Sequence, residues 1–202
     1  MKNIRISTPI SDEDIKEIRA GDNIYINGDI ILARDEAHKR ALEMKKQGKK
    51  LPMEINTGVL YHAGPVAVKD ENNNWEMIAV GPTTSARMEM FEPIFIKNFN
   101  VKIILGKGGM SGETLETFRK QNTIYGAVTG GAALVWASKI DKVIQVEWLD
   151  LGIPEALWKI KVRDFGPILV AIDSVGNNIY KNVNDNISNN LNNVIKFLNI
   201  EE

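Results

Sequence analysis

The chain has 202 residues, of which 44% are hydrophobic, and its 25 Lys and Arg residues nearly balance its 26 Asp and Glu residues. This length and composition predict one large domain or two small ones with a buried core, and the near-zero net charge argues against nucleic acid or an anionic membrane as a partner. The absence of cysteine excludes disulfides, a thiolate nucleophile and an iron–sulfur cluster held by cysteines of this chain. No apolar run approaches the roughly 18 residues of a membrane span, so we expect a cytoplasmic protein.

The first half of the chain predicts mainly strands. They are expected over residues 23–26, 29–32, 59–68 and 75–80. Asn27-Gly28 favours a two-residue hairpin turn between the first two strands, because both residues adopt positive φ values at low cost. Asp35 is expected to cap a helix that ends near Gln47, where Gly48 follows.

From Gly81 onward, predicted strands and helices alternate. Strands are expected over residues 101–105, 124–128, 143–149, 159–162 and 168–172. Helices are expected from Thr84 onward, over 111–121 and over 132–139. Pro93 should break or kink the first of these helices. The alternation predicts the α/β fold class, with a β-rich first half followed by helices that pack on a sheet.

The end of the chain predicts one more helix. Its apolar residues recur at helical spacing at Ile187, Leu191, Val194, Ile195 and Leu198. We therefore expect one domain over residues 1–184, and an amphipathic helix over residues 185–202 that packs on the same domain.

Two glycine-flanked turns carry the strongest functional signal. They are Gly81–Met88 and Gly106–Met110, and each contains one cation, Arg87 or Lys107, where a strand gives way to a helix. Such turns direct backbone N–H groups and a fixed positive charge at one small volume, which suits a carboxylate or a phosphate. The sequence therefore predicts a site for a small anion.

Residues 106–109 also allow two other interpretations. Their GxxG form is that of the loop with which KH domains clamp a nucleic-acid backbone, and it superficially resembles a P-loop. The P-loop pattern fails because Val101 occupies the first glycine position and Gly108 the Ser/Thr position. The KH interpretation needs helices on both sides of the loop, whereas a strand is expected to run into it. Both are therefore disfavoured.

Six segments, taken in order, resemble the β subunit of class I iron–sulfur fumarases and L-tartrate dehydratases. The same unit forms the C-terminal domain of single-chain class I fumarases. The segments are GDIILARDEAH (28–38), YHAGP (61–65), GPTTSARM (81–88), GKGGM (106–110), GGAA (130–133) and LGIPEALW (151–158). The resemblance extends from about residue 4 to residue 180 and leaves only the tail outside it.

The resemblance implies a swivelling β/β/α domain that pairs with an α subunit, in two copies of each. The α subunit would carry a [4Fe–4S] cluster, and this chain would bind no metal. The implied reaction is the reversible hydration of fumarate to (S)-malate, with L-tartrate dehydration and a non-catalytic structural role as alternatives. The sequence alone does not separate fumarate from L-tartrate or mesaconate, because the pocket walls would come from both subunits.

The resemblance also implies roles for individual residues. Arg34, Arg87 and Lys107 would supply cations for the substrate carboxylates, Thr84 would contact substrate, and Thr83 would act as the base with Lys107 beside it. Fumarate carries carboxylates at opposite ends of a rigid frame, so a dry site needs cationic donors in at least two directions.

The same residues have simpler interpretations. Arg34 beside Asp35 is equally typical of a surface ion pair, Arg87 of a side chain that extends along a helix, and a threonine of a helix cap. A threonine hydroxyl becomes a base only where clustered positive charge and burial favour its ionised form. His38 and His62 have no neighbour in sequence at metal-ligand spacing, so we expect structural or surface roles for them.

Overall fold

A computed structural model describes residues 1–198. The strands within these residues are β1 (Asn3–Ser7), β2 (Asn23–Leu32), β3 (Val59–Tyr61), β4 (Ala63–Lys69), β5 (Trp75–Pro82), β6 (Ile103–Gly106), β7 (Ile124–Ala127), β8 (Ile140–Glu147) and β9 (Leu157–Ile172). The helices are α1 (Asp12–Lys16), α2 (Asp35–Lys46), α3 (Glu92–Phe99), α4 (Gly112–Gln121), α5 (Ala133–Ala137) and α6 (Ile179–Phe197). The predicted α/β class is confirmed, and the chain is rich in strands.

The main sheet is mixed and closes on itself. Strands β1, β2, β3, β6 and β7 run parallel to one another, while β9 runs antiparallel to β2, β7 and β8. Because β9 joins β7 to β2, five strands form a continuous ring of pairings, and β1 and β8 extend it at the sides. Strands β4 and β5 form a separate antiparallel hairpin. The four parallel strands β2, β3, β6 and β7 thus end at one edge.

Two hydrophobic clusters lie on opposite faces of the parallel strands, because successive side chains of a strand point to opposite faces. In β3, Val59 and Tyr61 join the inner cluster with β9 and the β4–β5 hairpin, whereas Leu60 joins the outer cluster. Helices α2, α3 and α4 cover the outer face, where Phe95 and Phe118 are fully buried. The result is a layer of helices, a layer of parallel strands and a second layer of strands.

Several strands differ from the sequence prediction. The predicted hairpin at Asn27-Gly28 is wrong, because residues 23–32 form one strand, in which Gly28 (φ +103°) marks a shift in register against β9. The two strands predicted at 159–162 and 168–172 are one, since β9 finds pairing partners along its whole length. The strand predicted over residues 59–68 is interrupted at His62.

The helices follow the predictions more closely, with two corrections. Arg34, and not Asp35, is the N-cap of α2, and its side chain makes no capping bond. Pro93 does not break a helix that starts at Thr84. A short 3-10 helix, Ser85–Met88, comes first, and Pro93 lies in the first turn of α3, where its missing N–H costs no hydrogen bond.

Helix α6 contacts the domain mainly through its first turn. Tyr180 packs against Gly109 of the glycine-rich loop and against the Tyr125 ring. Beyond this turn the apolar residues are exposed, among them Ile187 and Leu191, so the described part of the helix differs from the expectation that its apolar face packs on the domain. Residues 199–202, the end of the predicted helix, lie outside the described residues. None of the helices within residues 1–198 is long and apolar enough to cross a membrane.

Candidate anion-binding site

The residues of the candidate site directly follow the carboxyl ends of four parallel strands. Arg34, His62, Lys107 and Thr129 follow β2, β3, β6 and β7 by one or two residues. In α/β sheets this edge is where ligands usually bind, because loops from adjacent strands converge there. The β4–β5 hairpin ends at the same place and delivers the turn that starts at Thr83.

Arg34 lies at the junction of β2 and α2. Its Nη2 is 3.1 Å from Glu155 Oε1, and Glu155 Oε2 in turn accepts a hydrogen bond from the backbone N–H of Glu36. The Arg34 side chain runs so close to Gly64 that a β-carbon there would lie 2.9 Å from Nη1. Arg34 is therefore held in one place by Glu155 and Gly64, and its buried Nε–H is left without an acceptor among the described residues.

Arg87 is paired with the residue that follows Arg34. Its Nε and Nη2 donate to the two carboxylate oxygens of Asp35, at 3.2 and 2.5 Å, while the side chain stays 48% exposed. Burial raises the pKa of Asp35, but the Arg87 hydrogen bond, the backbone N–H of Asp35 itself and the charges of Arg87 and Arg34 lower it more. Asp35 is therefore ionised, and it anchors Arg87 to the residue that follows Arg34.

Thr83 is fixed between the ends of β3 and β6. Its backbone N–H donates to the His62 carbonyl at 2.7 Å, and its carbonyl accepts from the Lys107 N–H at 3.2 Å. Ser85 extends this pairing by donating its N–H to the Lys107 carbonyl at 2.9 Å. Within the described residues, the hydroxyls of Thr83 and Thr84 make no hydrogen bond, and neither threonine caps the following helix through its side chain. Both hydroxyls are free to meet a ligand.

Lys107 lies between this turn and the turn after β7. Its Nζ would be 3.8 Å from a β-carbon placed on Gly130, and the methyl of Thr84 would be 3.5 Å from one placed on Gly108. The Lys107 side chain is exposed and has no ion-pair partner in the part of the chain that the structure describes. Glycines on both sides therefore let this cation and the threonine turn come together.

All five sequence-predicted site residues lie at one edge of the sheet: Arg34, Thr83, Thr84, Arg87 and Lys107. Asp35, the neighbour of Arg34 in the chain, holds Arg87, and backbone pairing connects Lys107 to the threonines. Three cations and the two carboxylates of Asp35 and Glu155 leave a net charge of one positive unit. This arrangement suits a small anion and leaves room for a partner to complete the site.

Sequence reasoning gave no correct partner for three acidic residues that organise this edge. Asp35 was expected to cap α2 but instead binds Arg87, and Glu155, which binds Arg34, was given no role of its own. The third, Glu92, was not singled out at all. The one sequence signal was for Glu155, which lies in the LGIPEALW segment (151–158) that resembles the family.

A buried His–Glu–His cluster, formed by His38, Glu92 and His62, lies beneath the edge. Each of the three side chains is 0% exposed, and both histidine Nε2 atoms face Glu92 Oε1, at 2.9 Å for His38 and 2.8 Å for His62. The His38 contact lies off the N–H axis, so it is an ion-pair contact and not a linear hydrogen bond. The histidines are therefore neither surface groups nor isolated, although nothing in their sequence spacing indicates this.

The Nδ1 atoms of the cluster reach the site backbone. His38 Nδ1 lies 2.7 Å from the Arg34 carbonyl, and His62 Nδ1 lies 2.9 Å from Ser85 Oγ. Burial raises the pKa of Glu92, but the charge and hydrogen bonds of the histidines lower it more, so the carboxyl is ionised. Burial lowers the pKa of His62, and the neighbouring carboxylate only partly offsets this.

Comparison with known proteins agrees with this geometry. The family model described as Fumarase C-terminus matches residues 1–183. A Methanocaldococcus jannaschii protein provisionally named L(+)-tartrate dehydratase subunit beta is 46% identical over 187 residues, which are 92% of this chain and 95% of that protein. The L(+)-tartrate dehydratase subunit beta of Escherichia coli K12 is 42% identical over 89% of this chain and 87% of its own length.

A longer relative contains the same unit. A Geobacillus stearothermophilus protein provisionally named fumarate hydratase class I is 39% identical over 180 residues, which are 89% of this chain but 34% of that protein. The family match spans nearly the whole domain and includes every segment of the candidate site. The chain therefore belongs to the Fumarase C-terminus family.

Proposed function

We propose that the chain is the β subunit of a two-subunit hydro-lyase that interconverts fumarate and (S)-malate. The observation that carries this proposal is the meeting of Arg34, Arg87 and Lys107 at one edge of the sheet with two free threonine hydroxyls. A four-carbon dicarboxylate needs cationic donors at both ends, and this edge offers them from three separate loops.

The residues of this chain would act mainly by binding and orientation. Arg34 and Arg87 present forked donors to the two carboxylates, while Asp35 and Glu155 keep their guanidinium groups in place. In the dehydration direction, Thr83 Oγ would take the proton from the carbon next to one carboxylate as hydroxide leaves the neighbouring carbon. Lys107 favours the ionised form of Thr83 because it adds positive charge nearby.

The iron–sulfur cluster is assigned to the partner subunit. This chain has no cysteine, and its site donors are guanidinium, ammonium and hydroxyl groups, which bind carboxylates and are not ligands for iron. When bound in the α subunit, a [4Fe–4S] cluster with an open iron supplies a Lewis acid for the substrate oxygen. The cationic edge described here would complete that site from the opposite side.

L-tartrate is the second candidate substrate. The relatives from Methanocaldococcus jannaschii and Escherichia coli both carry L(+)-tartrate dehydratase names. Tartrate is also a four-carbon dicarboxylate, so the same cations would bind it, and its extra hydroxyl would be accepted or rejected by walls that include the α subunit. Mesaconate, which adds a methyl group, is tested in the same way.

Co-expression with the native α subunit tests the proposal. The complex should be purified without oxygen, checked for an iron–sulfur chromophore, and assayed on fumarate, L-tartrate and mesaconate side by side. We expect hydro-lyase activity from the complex and none from either subunit alone. Turnover of fumarate by the metal-free chain, or a complex inactive on all three acids, contradicts the proposal.

A purely structural role for the chain predicts a different result. If the chain only stabilises its partner, Lys107→Ala should leave KM and kcat of the complex unchanged. If the chain binds substrate as proposed, this variant should lose at least tenfold in kcat/KM, since a charge-assisted hydrogen bond contributes about 1.5–3 kcal/mol. Lys142→Ala, an exposed lysine in β8, is the matched control.

Three finer expectations belong to the same proposal. They are a domain of the swivelling β/β/α type, an assembly of two α and two β subunits, and a cytoplasmic location. The layers of strands and helices support the first, and the subunit beta names of the relatives support a partner chain. Mass measurement on the purified complex tests the stoichiometry.

A further inference from the structure

The buried His–Glu–His cluster is not used by the proposed reaction, yet its residues contact, directly or through Ser85, each segment that carries a proposed site residue. His38 contacts the Arg34 carbonyl, and the His62 carbonyl accepts the N–H of Thr83. His62 Nδ1 contacts Ser85, whose N–H binds the Lys107 carbonyl and which lies two residues before Arg87. The cluster therefore joins elements that are distant in sequence at their functional ends.

Hydrogen-bond capacity fixes one hydrogen on His38. The Arg34 carbonyl only accepts, so His38 Nδ1, at 2.7 Å from it, carries a hydrogen. His38 Nε2 lies 2.9 Å from Glu92 Oε1 without a linear hydrogen bond. The Nδ1 bond therefore ties the His38 ring to the Arg34 segment.

A chain of hydroxyls fixes the proton on His62. The Tyr125 hydroxyl donates to Ser85 Oγ at 3.0 Å, so the Ser85 hydrogen is directed to His62 Nδ1, at 2.9 Å. The remaining hydrogen of His62 is on Nε2 and is donated to Glu92 at 2.8 Å. His62 is therefore neutral, which agrees with the burial that lowers its pKa.

We propose that the buried His–Glu–His cluster is a positioning device that locks the Arg34 segment and the Thr83–Arg87 turn in the geometry that binds the dicarboxylate. The three side chains are 0% exposed, so they do not touch substrate and are positioning residues. The kinetic effects expected of this cluster rest on the proposed function, whereas the positions of its ring hydrogens do not.

The same side chains have the composition of a zinc site, but their geometry favours hydrogen bonding. Two histidines and a glutamate are common zinc ligands, with metal bonds of about 2.0–2.2 Å, so two ligand atoms on one tetrahedral zinc lie roughly 3.3–3.6 Å apart. Here the Nε2 atoms of His38 and His62 lie closer to Glu92 Oε1, at 2.9 and 2.8 Å, within the range of a direct contact without a metal between them. The hydrogen on His62 Nε2 also leaves that atom without a lone pair for a metal.

The first test reads the protons directly. The chain has only two histidines, so labelling histidine with nitrogen-15 gives four ring-nitrogen signals, which can be assigned with His38→Gln. We expect a hydrogen on Nδ1 of His38 and, on His62, a hydrogen only at Nε2. A His38 Nδ1 without a hydrogen, a hydrogen on His62 Nδ1, or stoichiometric zinc whose removal by a chelator changes these signals, overturns the proposal. Neither result depends on any enzymatic activity.

The second test separates positioning from general stability. Ser85→Ala removes the hydroxyl between His62 and Tyr125 without changing a charge, and we expect kcat/KM of the complex to fall by about 10- to 100-fold through misplaced site groups. Thr123→Val is the matched control, since it removes a buried hydroxyl, bound to the Val101 carbonyl, at the opposite end of β7.

A double-mutant cycle gives the decisive readout. If Ser85 acts through Arg87, its substitution should cost much less in an Arg87→Ala background, whereas a structural effect is additive. Additive losses, or equal losses in Ser85→Ala and Thr123→Val, overturn the proposal. A wild-type complex that is inactive on every dicarboxylate refutes the proposed function instead, while the nitrogen-15 pattern still tests the cluster.

Discussion

Substitution of Arg87 by alanine is expected to weaken productive binding of the dicarboxylate. Two of the five guanidinium N–H groups are committed to Asp35, and the exposed end of the side chain leaves the other three for a ligand. One charge-assisted hydrogen bond to a carboxylate contributes about 1.5–3 kcal/mol, and every 1.4 kcal/mol is tenfold. We therefore expect kcat/KM to fall by about 10- to 150-fold, and further if the freed Asp35 carboxylate repels the substrate.

Initial rates of the assembled α–β complex measure this effect. Arg87→Ala should be compared with Arg87→Lys, which keeps the charge but cannot hold Asp35 and a substrate carboxylate with one fork. The lysine variant should fall between wild type and alanine. Iron content and subunit ratio must be equal in all preparations, so that a loss of rate reflects the site and not assembly.

Arg5 provides a matched control. It forms the same kind of exposed arginine–aspartate pair, with Asp164, but it lies beside Tyr25 at the other end of β2. The seven residue-to-residue steps from Tyr25 to Leu32 span about 23 Å. Arg5→Ala should leave kcat/KM unchanged. Equal rates for wild type and Arg87→Ala, or equal losses in both alanine variants, would refute the assignment of Arg87 to substrate binding.

Three other predictions follow from the same geometry. Thr83→Ala should preserve assembly and abolish turnover, and near-normal kcat in the assembled variant rules out the base role. Because burial lowers the pKa of His62, the unfolded chain binds its proton first, so denaturant titrations should show stability falling below about pH 6.5, by up to about 1.4 kcal/mol per pH unit. This acid loss should be shallower in His62→Gln, and equal slopes contradict it. Gly106→Ala would drive a β-carbon into Ser85 Oγ and should cost about 1–3 kcal/mol of unfolding free energy, whereas Gly131→Ala, which meets open space, should cost less than half of that.

Local sequence signals predicted those parts of the fold that depend on residues close together in the chain. Helix α2 is followed by Gly48 at φ +68°, as its stop residue indicates, whereas its N-cap is Arg34, one residue before the predicted Asp35. Strand β2 shows the limit of such signals. Asn27-Gly28 favours a turn locally, but pairing with β1, β3 and β9 on both sides stabilises one continuous strand.

The candidate site was likewise predicted only in part. The cations Arg34, Arg87 and Lys107 were identified from short segments and a family resemblance, and the parallel strands bring them to one edge. Their partners could not be identified, because Glu155 reaches Arg34 across more than a hundred residues of chain. Glu92 is equally hidden, since a glutamate at the start of a helix is ordinary in sequence.

The central claim is that three cations of this chain bind one dicarboxylate in the assembled enzyme. A crystal structure of the anaerobic α–β complex with bound substrate or a saturated dicarboxylate tests it most directly. We predict that the two carboxylates lie within hydrogen-bond distance of Arg34, Arg87 and Lys107, with Thr83 Oγ facing one of the two carbons between them. A dicarboxylate bound by the α subunit alone, with these three side chains turned elsewhere, contradicts the claim.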